Sequence, residues 1–136
     1  MNENQIADRV MDAAFQIHRE IGPGLLESVY EVILERMLAD MGLAVERQKP
    51  IPVRFRGLSF EEGFRADLLL EGKVIVELKS IDRVLPVHAK QLLTYLRMAD
   101  CRLGLLINFG ESLLKDGFRR VVNGLEDMTR FPLGPD

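Results

Sequence analysis

Cysteine occurs once, at Cys101, and histidine only twice in a chain of 136 residues. A single thiol excludes an internal disulfide and any zinc site built on cysteines, and its place in an apolar run gives it the part of a small hydrophobe in a strand. No uninterrupted apolar stretch reaches the roughly 18 residues that a membrane span needs. The start, MNENQIADRV, has neither the basic opening nor the apolar core of a secretion signal. The expectation is therefore a cytoplasmic protein with no membrane partner. Internal repeats, low-complexity tracts, a glycine-rich phosphate loop and a Ser/His/Asp set are missing too. Charge of one sign is scarce: 18 Lys and Arg against 21 Asp and Glu leave −3, which argues against a free-standing binder of polyanions.

What is present is a globular composition, 47% hydrophobic. The length suits one domain with a single core, which we set at residues 1–124, followed by an irregular tail at 125–136. The charge is unevenly spread. Residues 1–46 carry three Arg against nine acids, residues 47–90 nine Lys and Arg against six acids, and residues 91–136 six of each. The positive third holds the stretch around which the chain is arranged, RADLLLEGKVIVELKS at 65–80.

Parity makes that stretch a β-hairpin. Phe64, Ala66, Leu68 and Leu70 are apolar and lie on one side of a first strand, with Arg65 and Asp67 on the other. Val74, Val76 and Leu78 are apolar on the second strand and leave Ile75, Glu77 and Lys79 opposite. The apolar sides coincide only if Leu70 faces Val74, Leu68 faces Val76 and Asp67 faces Glu77 around the loop Glu71-Gly72-Lys73. Two carboxylates brought together on a sheet repel each other unless a cation or a proton lies between them. Oxygen ligands without Cys or His suit Mg²⁺ or Mn²⁺ rather than zinc. Lys79, on the same face, is placed to hold a water beside such an ion, which is hydrolytic chemistry with phosphate as its natural target.

The rest of the chain supplies the surroundings. Ile6, Val10, Ala13, Ala14, Ile17 and Ile21 predict an amphipathic helix capped by Asn2 or Asn4 and stopped at Gly22-Pro23-Gly24, with His18 packed or hydrogen-bonded at its margin. A second helix, about 25–41, takes its apolar arc from Leu26, Val29, Tyr30, Ile33, Leu34, Met37, Leu38 and Met41. Glu27 falls inside that arc, whereas Glu31 and Glu35 point to solvent. A buried acid needs a partner, either Arg65 or Lys79 in an ion pair or water reached at the rim. Residues 43–56 read as extended, with Pro50 and Pro52 putting them at a sheet edge. Arg54 and Arg56 point together, into solvent or toward a nucleic acid, and 59–63 reads as a turn. Pro86 opens a third helix with core face Ala89, Leu92, Leu93, Leu96 and Ala99. Gln91 and Tyr95 share another face with Val87 and His88. Residues 101–108 form a strand buried on both faces and parallel to the Glu77 strand, and 113–122 adds a strand or short helix.

Asp67 followed by Glu77-Leu78-Lys79 resembles the metal site of the PD-(D/E)XK nuclease superfamily. Gly24-Leu-Leu-Glu27-Ser-Val-Tyr30 is similar to the motif after which the GxxExxY family within that superfamily is called. The likeness extends through ERQKPIPVRFRG, PVHAKQLLTYLR and GLLINFG, from about Ile6 to Asn123; one departure is Ala66, where the superfamily name has Pro. The resemblance implies an α/β (α+β) fold with a restriction-endonuclease-like core, a mixed four-stranded sheet flanked by helices in the order αβββαβ. It implies that Asp67, Glu77, the Leu78 carbonyl and Glu27 bind Mg²⁺ or Mn²⁺, and that Lys79 orients the attacking water. Gln91 and Tyr95 resemble a Gln-x-x-x-Tyr pair that lies beside the metal site in some members, though Tyr95 also reads as a half-buried aromatic. The function implied is a metal-dependent nuclease acting on nucleic acid, DNA ahead of RNA. The alternative is an inactive nuclease-fold binding module. Oligomeric state stays open, a homodimer included.

Overall fold

The computed structural model describes residues 1–125, so that all but the first residue of the expected tail lies outside the described residues. Asn2 opens the first helix, α1 (Glu3–Ile21): its side chain accepts from the Gln5 amide while the Gln5 side chain accepts from the Asn2 amide. After α2 (Glu27–Asp40) come β1 (Val45–Phe55), β2 (Leu58–Leu70) and β3 (Val74–Lys79), then α3 (Pro86–Ala99), β4 (Leu103–Asn108), a short α4 (Leu114–Gly117) and β5 (Phe118–Val122). The strands form one sheet in the order β1-β2-β3-β4-β5. β3 and β4 are parallel, joined through α3 as a crossover demands, and the other pairs are antiparallel. The expected architecture is present, with a fifth strand: the segment 113–122 is both a short helix and a strand.

Each face of the sheet carries its own core. Leu68, Leu70, Val74, Val76 and Leu78 pack against α1 and α2, where Val10, Ala14, Ile17, Tyr30 and Leu34 are buried. Ile75, Leu69 and Leu106 pack against Ala89, Leu92 and Leu96 of α3. With both faces covered, all six residues of β4 are buried, as its unbroken apolar run requires. Asn108 ends that strand inside the protein. Its side chain accepts from the Ile81 and Gly110 amides and donates to the Ile81 carbonyl, which ties the loop after β3 to the end of β4.

The hairpin register is the expected one, Leu68↔Val76 and Leu70↔Val74, around the loop Glu71-Gly72-Lys73. Three expectations are corrected. Residues 59–63 are strand, not turn, because the reversal is made at Arg56 (φ 48°) and Gly57 (φ 82°), a pair of left-handed residues that suits a two-residue hairpin. Hence Arg54 lies on the strand and Arg56 in the turn, and the two do not share a face. The alternation along β2 also breaks at Asp67. Ala66 is buried with Leu69 on the α3 side, whereas Leu68 and Leu70 face α1 and α2, so Ala66 and Leu68 are on opposite faces. Finally, the buried side of α2 is rotated from the arc its hydrophobic residues draw: Leu26, Val29 and Met41 are exposed, and Glu31 is only 3% exposed.

Candidate metal centre

The site begins where the β2–β3 ladder stops. Leu68↔Val76 is its last rung on this side, and beyond it side chains take over the backbone's hydrogen bonds. Glu77 Oε2 accepts from the Asp67 amide at 2.8 Å, and Asp67 Oδ2 accepts from the Leu78 amide at 2.9 Å. The two acids are thus laced across the hairpin, each fixed by the other strand's main chain. The alternation break in β2 has the same origin, since Asp67 turns its carboxylate into the ladder instead of onto a face.

Asp67 Oδ1 accepts from Gln48 Nε2 at 3.2 Å, and the same nitrogen donates to Glu31 Oε1 at 2.9 Å. Gln48 stands opposite Asp67 on β1, between the pairs Arg47↔Leu68 and Lys49↔Ala66, with its backbone left-handed at φ 52°. Such a conformation costs a non-glycine residue about 1–2 kcal/mol and is found where the surroundings enforce it. Arg47 reaches the same glutamate, Nη1 to Oε1 at 3.4 Å, and its Nε lies 3.7 Å from Glu35. Glu31 is therefore buried but amply partnered.

Glu27 is the first residue of α2 and is placed by the loop before it. Gly24 has φ 117°, a conformation that excludes a side chain at little strain. The Tyr30 hydroxyl donates to the Gly22 carbonyl at 2.5 Å and accepts from the Leu25 amide at 3.2 Å, while its ring stacks on Phe109 at 4.4 Å. Ser80 Oγ donates to the Leu25 carbonyl at 2.7 Å, which fastens the loop to the end of β3. The Gly-x-x-Glu-x-x-Tyr spacing now has a physical reading: a glycine for the turn, an acid at the helix start, and a tyrosine one turn on that reaches back to lock the turn. A cleft of about 450 Å³, lined by residues 23–27, 80–82 and Gly110, opens beside Glu27.

The electrostatics are those of a site short of positive charge. Burial, then the neighbouring Asp67, pushes the Glu77 carboxyl up to about 8. Asp67 is raised by burial, against the hydrogen bonds from Leu78 and Gln48 and the charge of Lys79. Glu27 is raised by burial and then by Asp67, and Glu31 by burial above all. Lys79, half-buried, favours the ionised forms of Glu27, Asp67 and Glu77 alike, and makes no close ion pair among the described residues. Glu27, Asp67 and Glu77 share one lysine, and Glu31 has Arg47.

Of the residues singled out in the sequence, Glu27, Asp67, Glu77 and Lys79 are within one another's fields, and the Leu78 backbone is hydrogen-bonded to Asp67. Tyr95 stacks on Phe64 with ring centroids 4.0 Å apart, and its hydroxyl pKa is raised by burial and then by Glu77 and Asp67. Gln91 is exposed one turn earlier on α3, with no hydrogen bond among the described residues. Sequence reasoning missed Glu31 and Gln48. Glu31, four residues after Glu27 and so on its face of the helix, carried a signal, whereas nothing local marks Gln48.

The donors are oxygens alone, which fits a hard divalent cation and not zinc. Among the described residues, however, no three Asp, Glu, His or Cys side chains converge on a metal-holding position. The fit is to an ion held by few protein oxygens and otherwise by water, as Mg²⁺ prefers. Compared with known proteins, residues 4–121 match the family profile of the PD-(D/E)XK nuclease superfamily. No curated protein and no solved structure matches significantly.

Proposed function

This chain belongs to the PD-(D/E)XK nuclease superfamily, and from that premise we propose that it is a divalent-metal-dependent phosphodiesterase of the GxxExxY type, acting on nucleic acid in the cytoplasm. In this reading Asp67, Glu77 and the Leu78 carbonyl, with Glu27, hold Mg²⁺ or Mn²⁺, which when bound supplies Lewis acidity toward the phosphodiester. Lys79 orients the attacking water and stabilises charge developing on the phosphate. Tyr95, whose hydroxyl feels Glu77 and Asp67, and Gln91, one turn earlier on α3, position the scissile backbone. Glu31 and Gln48 keep Asp67 in place. The observation that carries the reading is the mutual lacing of Asp67 and Glu77 beside Lys79, with Glu77 pushed up to about 8. A fold gains nothing in stability from crowding acids in this way, so the arrangement has the mark of a site.

One observation favours the alternative of a nuclease fold that binds without turnover. Three ligands do not converge among the described residues, and both central carboxylates are already engaged by backbone amides. A panel of labelled single- and double-stranded DNA and RNA, incubated with Mg²⁺, with Mn²⁺ and with EDTA, separates the two. Cleavage that needs either ion supports the nuclease; binding without cleavage under all conditions supports the module.

A further inference from the structure

β3 and β4 are parallel, so the helix that joins them runs back beside β3, its first turn near the end of that strand and its later turns nearer the start. Ile75 packs against α3, and side chains alternate, so Glu77 and Lys79 leave β3 on that same face. The two elements therefore meet in order. Tyr95, in the second half of α3, feels Glu77 and Asp67, and His88, on the first turn, feels Lys79. Seven residues make nearly two full turns, so His88 and Tyr95 point within about 20° of each other, about 10 Å apart along the axis.

The half-buried His88 ring is held by the turn it belongs to. Its Nδ1 accepts from the Leu85 amide at 3.0 Å, while the His88 amide donates to the Leu85 carbonyl at 3.0 Å. An amide can only donate, so Nδ1 is the acceptor and the proton of the neutral ring is on Nε2. Nε2 has no hydrogen bond among the described residues. Burial, and then the charge of Lys79, hold the imidazole below its ordinary range, which keeps it neutral at pH 7. The ring has no lone pair free for a metal, since ligation through Nε2 would move the proton to Nδ1 and break the bond to Leu85. α3 itself carries no acid. A fixed N–H donor close to a half-buried lysine, with no acid on its own helix, fits an anionic oxygen.

We propose that His88 is a substrate-binding residue, whose Nε2–H donates to a non-bridging oxygen of the phosphodiester beside Lys79 while Tyr95 contacts the strand farther along α3. This rests on the nuclease reading for the identity of the anion, but its test does not depend on turnover. Capping alone does not call for a histidine, because glutamate or glutamine at this position of a capping box makes the same bond to the Leu85 amide. Three variants therefore separate the roles. His88→Gln keeps both cap and donor. His88→Glu keeps the cap, loses the donor and gives the phosphate a negative neighbour, and His88→Ala loses both.

With only two histidines in the chain, NMR of protein carrying isotope-labelled histidine reads the site directly. The free protein should show the Nε2–H tautomer at His88. On titration with a short oligo(dT) in Mg²⁺ the His88 ring signals should shift, whereas those of His18, bonded to the Glu111 carbonyl, should stay. In fluorescence anisotropy and in cleavage kinetics, His88→Glu should lower oligonucleotide affinity and raise KM by about tenfold or more, with little change in kcat and an unchanged melting temperature. His88→Gln should stay within about threefold of wild type, and His88→Ala should lose affinity and melt lower. His88 signals untouched by the oligonucleotide, or a His88→Glu variant that binds it like the wild type, overturn the proposal and leave the histidine as a cap. A protein that cleaves nothing while its His88 signals move and His88→Glu weakens binding keeps this proposal and loses the nuclease reading.

Discussion

Gln48 is the residue on which the orientation of Asp67 turns. One amide nitrogen serves two carboxylates from two elements, Glu31 on α2 and Asp67 on β2. Replacing Gln48 by leucine keeps the bulk and removes the donor, which leaves Glu31 with Arg47 alone. Stability should fall by about 1–3 kcal/mol in urea denaturation, and Mn²⁺ affinity should fall in calorimetry because Asp67 loses its orientation. An unchanged affinity would show that Asp67 needs no such support. Glu77 makes a prediction about pH. Its folded pKa, about 8, is above the ordinary 4.5, so between these values the unfolded chain has released a proton that the folded protein keeps. Folding stability is whole at acid pH, declines as pH rises from about 4.5 to 8, and the loss is complete above that. The loss is on the order of 5 kcal/mol for this group, and the raised carboxyls of Asp67, Glu27 and Glu31 act in the same direction. Metal-free protein should therefore melt lower at pH 8 than at pH 5.5, and Glu77→Gln should flatten that dependence. A melting temperature that climbs with pH over this range contradicts the assignment.

At the scale of elements, the loop from Gly22 to Leu26 decides where α2 begins and hence where Glu27 stands. Tyr30→Phe preserves the ring stacked on Phe109 and deletes the hydroxyl bonded to Gly22 and Leu25. The expected cost is about 1–2 kcal/mol in chemical denaturation, with faster amide exchange confined to residues 22–26. Protection spread evenly over the sheet would mean that the tyrosine supports the core and not the loop. The helices and the β2–β3 register were legible in the sequence because burial on one face imposes a period. Alternation around Glu71-Gly72-Lys73 had one solution, and it placed Leu70 against Val74. The outer hairpin was not legible in the same way. Its turn is built by Arg56, whose left-handed backbone no composition rule signals, so the strand residues 59–63, rich in Glu and Gly, read as the turn. α2 misled for another reason. Its apolar residues lie nearly all round, and the buried residues are Tyr30, Glu31, Leu34 and Leu38, with an acid among them and the half-buried Glu27 one turn before it. A hydrophobic pattern cannot point to a face that the protein devotes to carboxylates.

For the whole molecule, the central hairpin carries the account: the sheet holds Asp67 and Glu77 together, α2 brings Glu27 and Glu31 over them, and α3 brings Tyr95 from the other side. Their convergence could be expected from local spacing for Asp67, Glu77 and Lys79, which share one hairpin, and Glu31 follows Glu27 by one helical turn; Gln48 depends on tertiary packing that no local spacing encodes. Asp67→Asn removes charge at little steric cost and should weaken Mn²⁺ binding several-fold by calorimetry, whereas equal affinities would put the ion elsewhere. The most direct measurement is on Lys79→Ala, with Mn²⁺-dependent cleavage of a labelled oligonucleotide and affinity for the same oligonucleotide followed side by side. A lysine that orients the attacking water acts in the transition state, so turnover should drop by two orders of magnitude or more, about 3 kcal/mol, while metal and oligonucleotide affinities stay near wild type. Cleavage by Lys79→Ala at the wild-type rate would contradict the mechanism.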